Sequence, residues 1–167
     1  MSFKEINVKD LCSNPFKLIG DDWMLITAGN EKKFNTMTAS WGGVGVLWNK
    51  NVTFAFVRPQ RYTFEFLEKE DYYTLTFYNK EYKQSLVTCG QKSGRDYDKI
   101  KEAGLTVDFS EKAPFFKEAN IILVCHKLHE QFIDPNCFVD TSIEDSYPNK
   151  DYHKVFIGDI VKALVKD

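Results

Sequence analysis

The stretch NTMTASWGGVG, Asn35 to Gly45, decides how this chain can be read. Over its first half polar side chains alternate with small or apolar ones, the period-two signature of a strand. Val, Ile and Phe are scarce there, however, and the stretch ends in loose backbone at Gly42, Gly43 and Gly45. Hydroxyls and an amide at strand spacing suit the lining of a ligand cleft. The glycines suit either a bulge or barrel corner, or a close approach of backbone to a ligand.

Outward from this stretch, strand signals dominate. WMLITA (Trp23–Ala28) and Phe34–Trp41 flank the polar GNEKK, which reads as a hairpin connection. VTFAFV (Val52–Val57) and YYTLTFY (Tyr72–Tyr78) are further strands, separated by RPQRYTFEFLEKE, which suits a short amphipathic helix. EYKQSLVTCG reads as a helix closed by Gly90, and RDYDKIKEAG as another, opening after Ser93-Gly94 and closed by Gly104. Leu105–Phe109 is a short strand, Ala119–Phe132 a long one, and Val155–Val165 a closing strand running into a helix; Asp140–Tyr147 reads as one helical turn or two. Strands with helices inserted between them favour an antiparallel barrel with peripheral helices over a parallel βαβ sheet.

The 167 residues are expected to form a single domain, 1–167, large enough to need neither metal nor disulfide as a staple. High aromatic content (Phe 14, Tyr 8, Trp 3) fits β-structure or a site for a flat ligand. Lys plus Arg is 22 against Asp plus Glu 24, and a net charge of -2 argues against a grip on nucleic acid. MSFKEINVKDL has no apolar run of the signal-peptide kind, and no window reaches the roughly 20 apolar residues of a membrane span. The expectation is a soluble cytoplasmic protein without a membrane partner. Cys12, Cys89, Cys125 and Cys137 show no CxxC pair and read as reduced, inert thiols.

Familiar catalytic motifs are missing. GxGxxG, GxxxxGK and GxSxG do not occur, and Cys89 in TCGQ has no local partner to make it a thiolate. His126 and His129 stand three apart in a run that reads as a strand, which sends them to opposite faces, so no metal is expected. Glu68 and Glu70 read as a solvated helix face. Two stretches are richer. VRPQRYT (Val57–Thr63) sets two arginines, a hydroxyl and free amide N–H groups at a strand end opening a helix, which suits a phosphate. KSGRD (Lys92–Asp96) offers a second basic turn. With NTMTAS they supply what a flat polar heterocycle with a phosphate tail requires.

In these four pieces, Asn35–Gly43 (NTMTASWGG), Arg58–Thr63 (RPQRYT), Ser93–Asp96 (SGRD) and His153–Gly158 (HKVFIG), the chain resembles the flavin reductase-like FMN-binding split barrels, and among them the flavoredoxin-like branch. The resemblance spans about Trp23 to Leu164. It implies a six-stranded antiparallel Greek-key split barrel that forms a homodimer with FMN near the subunit interface. It also implies that Asn35, Met37, Thr38, Ala39 and Ser40 line the ring and ribityl chain, partly through main-chain groups. Arg58, Arg61 and Thr63 then take the phosphate end, with Ser93 and Arg95 nearby and Lys92 and Lys99 as weaker candidates. Trp41, Trp48 and Tyr62 could cover a ring by stacking, and His153 could approach the flavin from the barrel end as a possible catalytic group. The expected activity is an NAD(P)H-dependent flavin reductase, the flavin carrying the redox chemistry. The alternative is a flavoredoxin-like electron carrier fed by a protein donor.

Overall fold

The computed structural model describes residues 2–167. Its strands and α-helices follow in the order β1 (Phe3–Ile6), β2 (Met24–Asn30), β3 (Lys33–Ala39), β4 (Gly42–Leu47), β5 (Lys50–Val57), α1 (Tyr62–Lys69) and β6 (Tyr72–Phe77). After these come α2 (Lys83–Gln91), α3 (Lys99–Glu102), β7 (Val107–Asp108), β8 (Phe115–Phe116), β9 (Ile121–Phe132) and β10 (Lys154–Lys166). The principal sheet runs β3-β2-β6-β9-β10-β5-β4, with β1 added along β10 and every pairing antiparallel; β7 and β8 form a separate ribbon.

This order forces a barrel. β3 and β4 are the two ends of the hydrogen-bonded path, yet only Ser40 and Trp41 separate them along the chain. Three Cα–Cα steps reach at most about 11 Å, whereas a flat path of seven strands at about 4.8 Å spacing would hold its end strands roughly 29 Å apart. The sheet therefore curls until its edges approach at Ser40–Trp41, and they do not pair with one another. β5 and β6, consecutive strands, are separated in the sheet by β10 and β9, with α1 on the connection between them. That crossing gives the Greek-key connectivity of a split barrel.

Alternate residues of β2 serve two layers. Met24, Ile26 and Ala28 join Met37, Val57, Leu75, Phe77, Leu123 and Phe156 inside the barrel. Leu25 turns outward to Leu86, Phe115, Phe116 and Ile122 under α2 and the β7–β8 ribbon. Burying each of these large side chains contributes roughly 1.5–3 kcal/mol of transfer free energy, so the outer layer that carries α2 has an apolar core of its own.

The mainly β class matches the sequence reading, while particular elements depart from it. Eight strands occupy the main sheet in place of six, because β1 and β4 are strands as well. The glycines of β4 hid it: Phe54 on β5 lies opposite Gly43, and its ring comes within 3.6 Å and 3.9 Å of where side chains at Gly43 and Gly45 would begin. An aromatic neighbour thus covers positions that look empty in sequence. Trp48 and Asn49 close the β4–β5 hairpin with φ of 52° and 56°, values more often supplied by Asn-Gly. Gly90 does not end α2 but lies inside its last turn against Thr38. The expected helix from Arg95 shrinks to α3, whose first turn is capped by Asp98. β10 continues to Lys166 without a terminal helix, held by β9 and β1 along that stretch. The Asp140–Tyr147 stretch is a single 3-10 segment, Thr141–Ser146.

Candidate functional site

Where the barrel's edges approach, two hollows meet. One, about 200 Å³, runs from Met37 along Thr38, Ala39, Ser40 and Trp41 to Phe56, Arg58 and His153. The other, about 360 Å³, lies under the start of α1 and the end of α2, between Asn35, Tyr62 and Thr63 on one side and Ser93, Arg95 and Lys99 on the other. Met37 and Arg61 line both. Every cofactor-facing candidate read from the sequence except Trp48, and His153 with them, therefore lies on one of two joined hollows. Trp48 does not: it packs against His129.

β3 supplies the wall as an edge strand. It pairs only with β2, so half of its backbone N–H and C=O groups have no strand partner. Its side chains, in contrast, are largely committed to the protein. Thr36 Oγ1 is 2.8 Å from Thr27 Oγ1, and the Thr38 hydroxyl donates to the Leu86 carbonyl of α2. Asn35 Nδ2 donates to Thr63 Oγ1 at 2.8 Å, tying the strand to the first turn of α1. Gly94 is glycine because a Cβ there would collide with the Asn35 amide oxygen. The hydroxyls of Thr36 and Thr38 thus brace the strand, leaving its main chain and Ser40 as the polar surface offered to a ligand.

The three arginines divide by partner. Arg58 is placed away from the basic hollow: it donates to Asp151 Oδ2 at 2.7 Å and to the Ser146 carbonyl at 2.9 Å, and stacks over Tyr147. Arg95 pairs with exposed Glu65 and lies 4.6 Å above the Tyr62 ring. Arg61, the N-cap residue of α1, has no carboxylate partner among the described residues, and burial lowers its pKa. Beside it Lys99 is only 2% exposed and donates to the carbonyls of Cys89 and Lys92, each at 3.2 Å. Burial pushes this ammonium down to about 8; Cys89 opposes the shift, and Arg61 adds to it by repulsion. The N–H groups of Tyr62 and Thr63 have no backbone acceptor among the described residues, as expected in a first helical turn. Half-buried Arg61 and buried Lys99 beside open amides make a surface suited to an anion, with Asp96 on its exposed rim.

At the other end, His153 is 7% exposed, with its ring 5.1 Å from Trp41 and Nδ1 2.9 Å from the Tyr147 hydroxyl. Burial, reinforced by Arg58 and opposed by Asp151, lowers its pKa to about 4, leaving a neutral imidazole at pH 7. The sequence reading did not anticipate Phe56, Gln60, Tyr147 or Asp151. Phe56 alternates with the core residues Ala55 and Val57 of β5 and so faces the hollow, which one more apolar residue in VTFAFV does not announce, and the other three sit in polar loops without a local signal. His126 and His129 lie on β9 against Tyr72 and Trp48. Among the described residues no helix is long and apolar enough to cross a membrane.

A family model described as flavin reductase like domain matches residues 18–167. No curated protein matches the sequence. Among solved structures, the chain is similar to an FMN-binding domain of a flavin reductases-like enzyme from Shewanella baltica: 16% identity, TM-score 0.70, covering 98% of this chain and 77% of that one. It is also similar to a flavoredoxin from Methanosarcina acetivorans, at 20% identity and TM-score 0.67, covering 98% and 76%. A third is an NADH:FAD oxidoreductase from Streptomyces globisporus in complex with NAD and FAD fragments, at 13% identity and TM-score 0.62, covering 87% and 75%. At such identities the likeness speaks for the fold.

Proposed function

The chain belongs to the flavin reductase-like domain family, and from there we propose that it binds FMN and works as an NAD(P)H-dependent flavin reductase. The observation that carries this reading is the cradle around half-buried Arg61 and buried Lys99, two cations with no carboxylate partner among the described residues, continuous with the unpaired edge of β3. Buried charge is costly unless something answers it, and a phosphate ester is the counterion of matching size and charge. Arg61, Lys99, Ser93 and the first-turn amides of α1 would hold the phosphate. Main-chain groups of Met37–Ser40 would hold the ring edge, offering N–H donors where negative charge gathers on reduction. Bound FMN supplies hydride acceptance at its ring nitrogen, so the chain needs to position and shield it rather than provide an acid–base pair.

Trp41, Val44, Val46 and Trp48 stand exposed on or beside edge strand β4, Val46 at 74% and Trp48 at 54%. An edge strand with an apolar face invites pairing, and a second copy closing over Trp41 would complete the cleft as a homodimer.

A flavoredoxin-like carrier is the second reading. It is favoured by the hollow beside His153, whose about 200 Å³ falls below the usual range for ligand pockets and leaves little room for a nicotinamide stacked on a flavin. Stopped-flow mixing of the FMN-loaded protein with NADH and with NADPH separates the two. Bleaching of the flavin band within seconds by either nucleotide is the expected result. Bleaching only by a reduced protein donor would assign the carrier role instead.

A further inference from the structure

The segment between β9 and β10 folds back over the barrel end that holds His153, and its contacts converge on one ring. Tyr147, 4% exposed, puts its hydroxyl 2.9 Å from His153 Nδ1. Arg58 lies 5.0 Å over the Tyr147 ring and grips both sides of the same segment, through the Ser146 carbonyl and Asp151 Oδ2. Gln60 donates to that same Asp151 oxygen, so two side chains from the turn after β5 fasten the segment. Phe138 also stacks on Tyr147, at 6.2 Å and 17° between planes. Among the described residues the clamp leaves the hydroxyl one side-chain partner, the imidazole, with the His153 backbone N–H also directed at it.

The geometry points to Tyr147 as a positioning residue that fixes His153 in one neutral tautomer, Nδ1 accepting from the tyrosine hydroxyl and Nε2 carrying the proton, at the ring end of the cleft. A phenol donates to an imidazole nitrogen only when that nitrogen is unprotonated, and the proton then resides on the other nitrogen. The groups facing His153 agree with this. Arg58 disfavours a second positive charge, Asp151 makes no hydrogen bond to the imidazole, its Oδ2 being taken by Arg58 and Gln60 while its Oδ1 is buried without a partner among the described residues, and Trp41 covers the ring without offering an acceptor to it. His153 is thereby an uncharged N–H donor suited to a carbonyl oxygen, held in place without a carboxylate. Resting on the flavin reading, this donor would serve the carbonyl of whatever flat ring docks against the flavin. Arg58 acts here through the segment it anchors rather than on a phosphate.

Nitrogen NMR of ring-labelled histidine in the flavin-free protein tests the tautomer independently of any flavin. The His153 signals, identified by their loss in His153→Gln, should show a protonated Nε2 and an unprotonated Nδ1 from pH 6 to 8. Tyr147→Phe should move them toward a mixture of tautomers. Arg58→Lys, which keeps the charge but loses the fork, should do the same to a smaller degree and serves if the first variant folds poorly. Protonation at Nδ1 in the wild type, or signals unmoved by both substitutions, would overturn the assignment. With FMN bound, His153→Leu should slow bleaching by about tenfold or more at unchanged FMN affinity, and His153→Gln, an uncharged N–H donor, should recover part of the loss. Equal rates in both variants and the wild type would remove His153 from the reaction, while absence of FMN binding would sink the flavin reading and leave the tautomer result standing.

Discussion

Arg61→Ala is expected to weaken FMN binding by about ten- to a hundredfold, the loss of one charge-assisted phosphate contact worth about 1.5–3 kcal/mol. Arg61 is singled out by what it lacks. Arg58 and Arg95 each spend their guanidinium on a carboxylate, whereas Arg61 lines both hollows with none. It is also the N-cap residue of α1, so its side chain and the open amides of the first turn would act on the same anion. Because the free protein already carries the cost of burying it, truncation should leave thermal stability nearly unchanged. Fluorescence titration with FMN measures the effect; an unchanged midpoint would take Arg61 out of the site.

Lys99→Met gives effects of opposite sign on binding and on folding. A buried ammonium repelled by Arg61 is a burden on the free protein and an asset once an anion arrives. FMN affinity should fall about tenfold or more, while the flavin-free variant should melt no lower than the wild type at pH 7. The pH dependence distinguishes this from ordinary repacking. The folded pKa of Lys99 is about 8 against 10.5 for the free side chain. Between those values the unfolded chain holds the extra proton, so the Lys99 contribution makes the wild-type protein gain stability as pH rises through that window. The variant should lack that gain. A phosphate would raise the pKa again, so FMN binding near pH 8 should take up a fraction of a proton, read as buffer-dependent heat in calorimetry. Buffer-independent heat, or a variant that binds FMN as the wild type does, would contradict the role given to Lys99.

Much of the barrel was legible because its central strands announce themselves. MLITA, VTFAFV and YYTLTF are β-branched or aromatic runs that the sheet buries. β4 was not legible, since GGVGVL borrows its packing from Phe54, and a Trp-Asn turn conceals the hairpin that follows. The cleft was readable as a set of residues but not as a set of roles. The sequence cannot tell a threonine facing a ligand from one bonded to the neighbouring helix, and Thr38 is bonded to Leu86. Nor can it tell that Arg58, three residues from Arg61, is met by Asp151 from 93 residues away. Tyr147 acquires its position from that distant clamp, so no local pattern marked it. Lys99 showed only as one lysine among several in a charged stretch, because its burial depends on α2 packing over it.

The most direct test is a parallel titration of the flavin-free protein with FMN and with riboflavin, which share a ring and differ by the phosphate. With Arg61, Lys99 and the α1 amides answering that phosphate, FMN should bind at one per chain and riboflavin at least about a hundredfold more weakly. Equal affinity for the two, or no binding of either, would contradict the account.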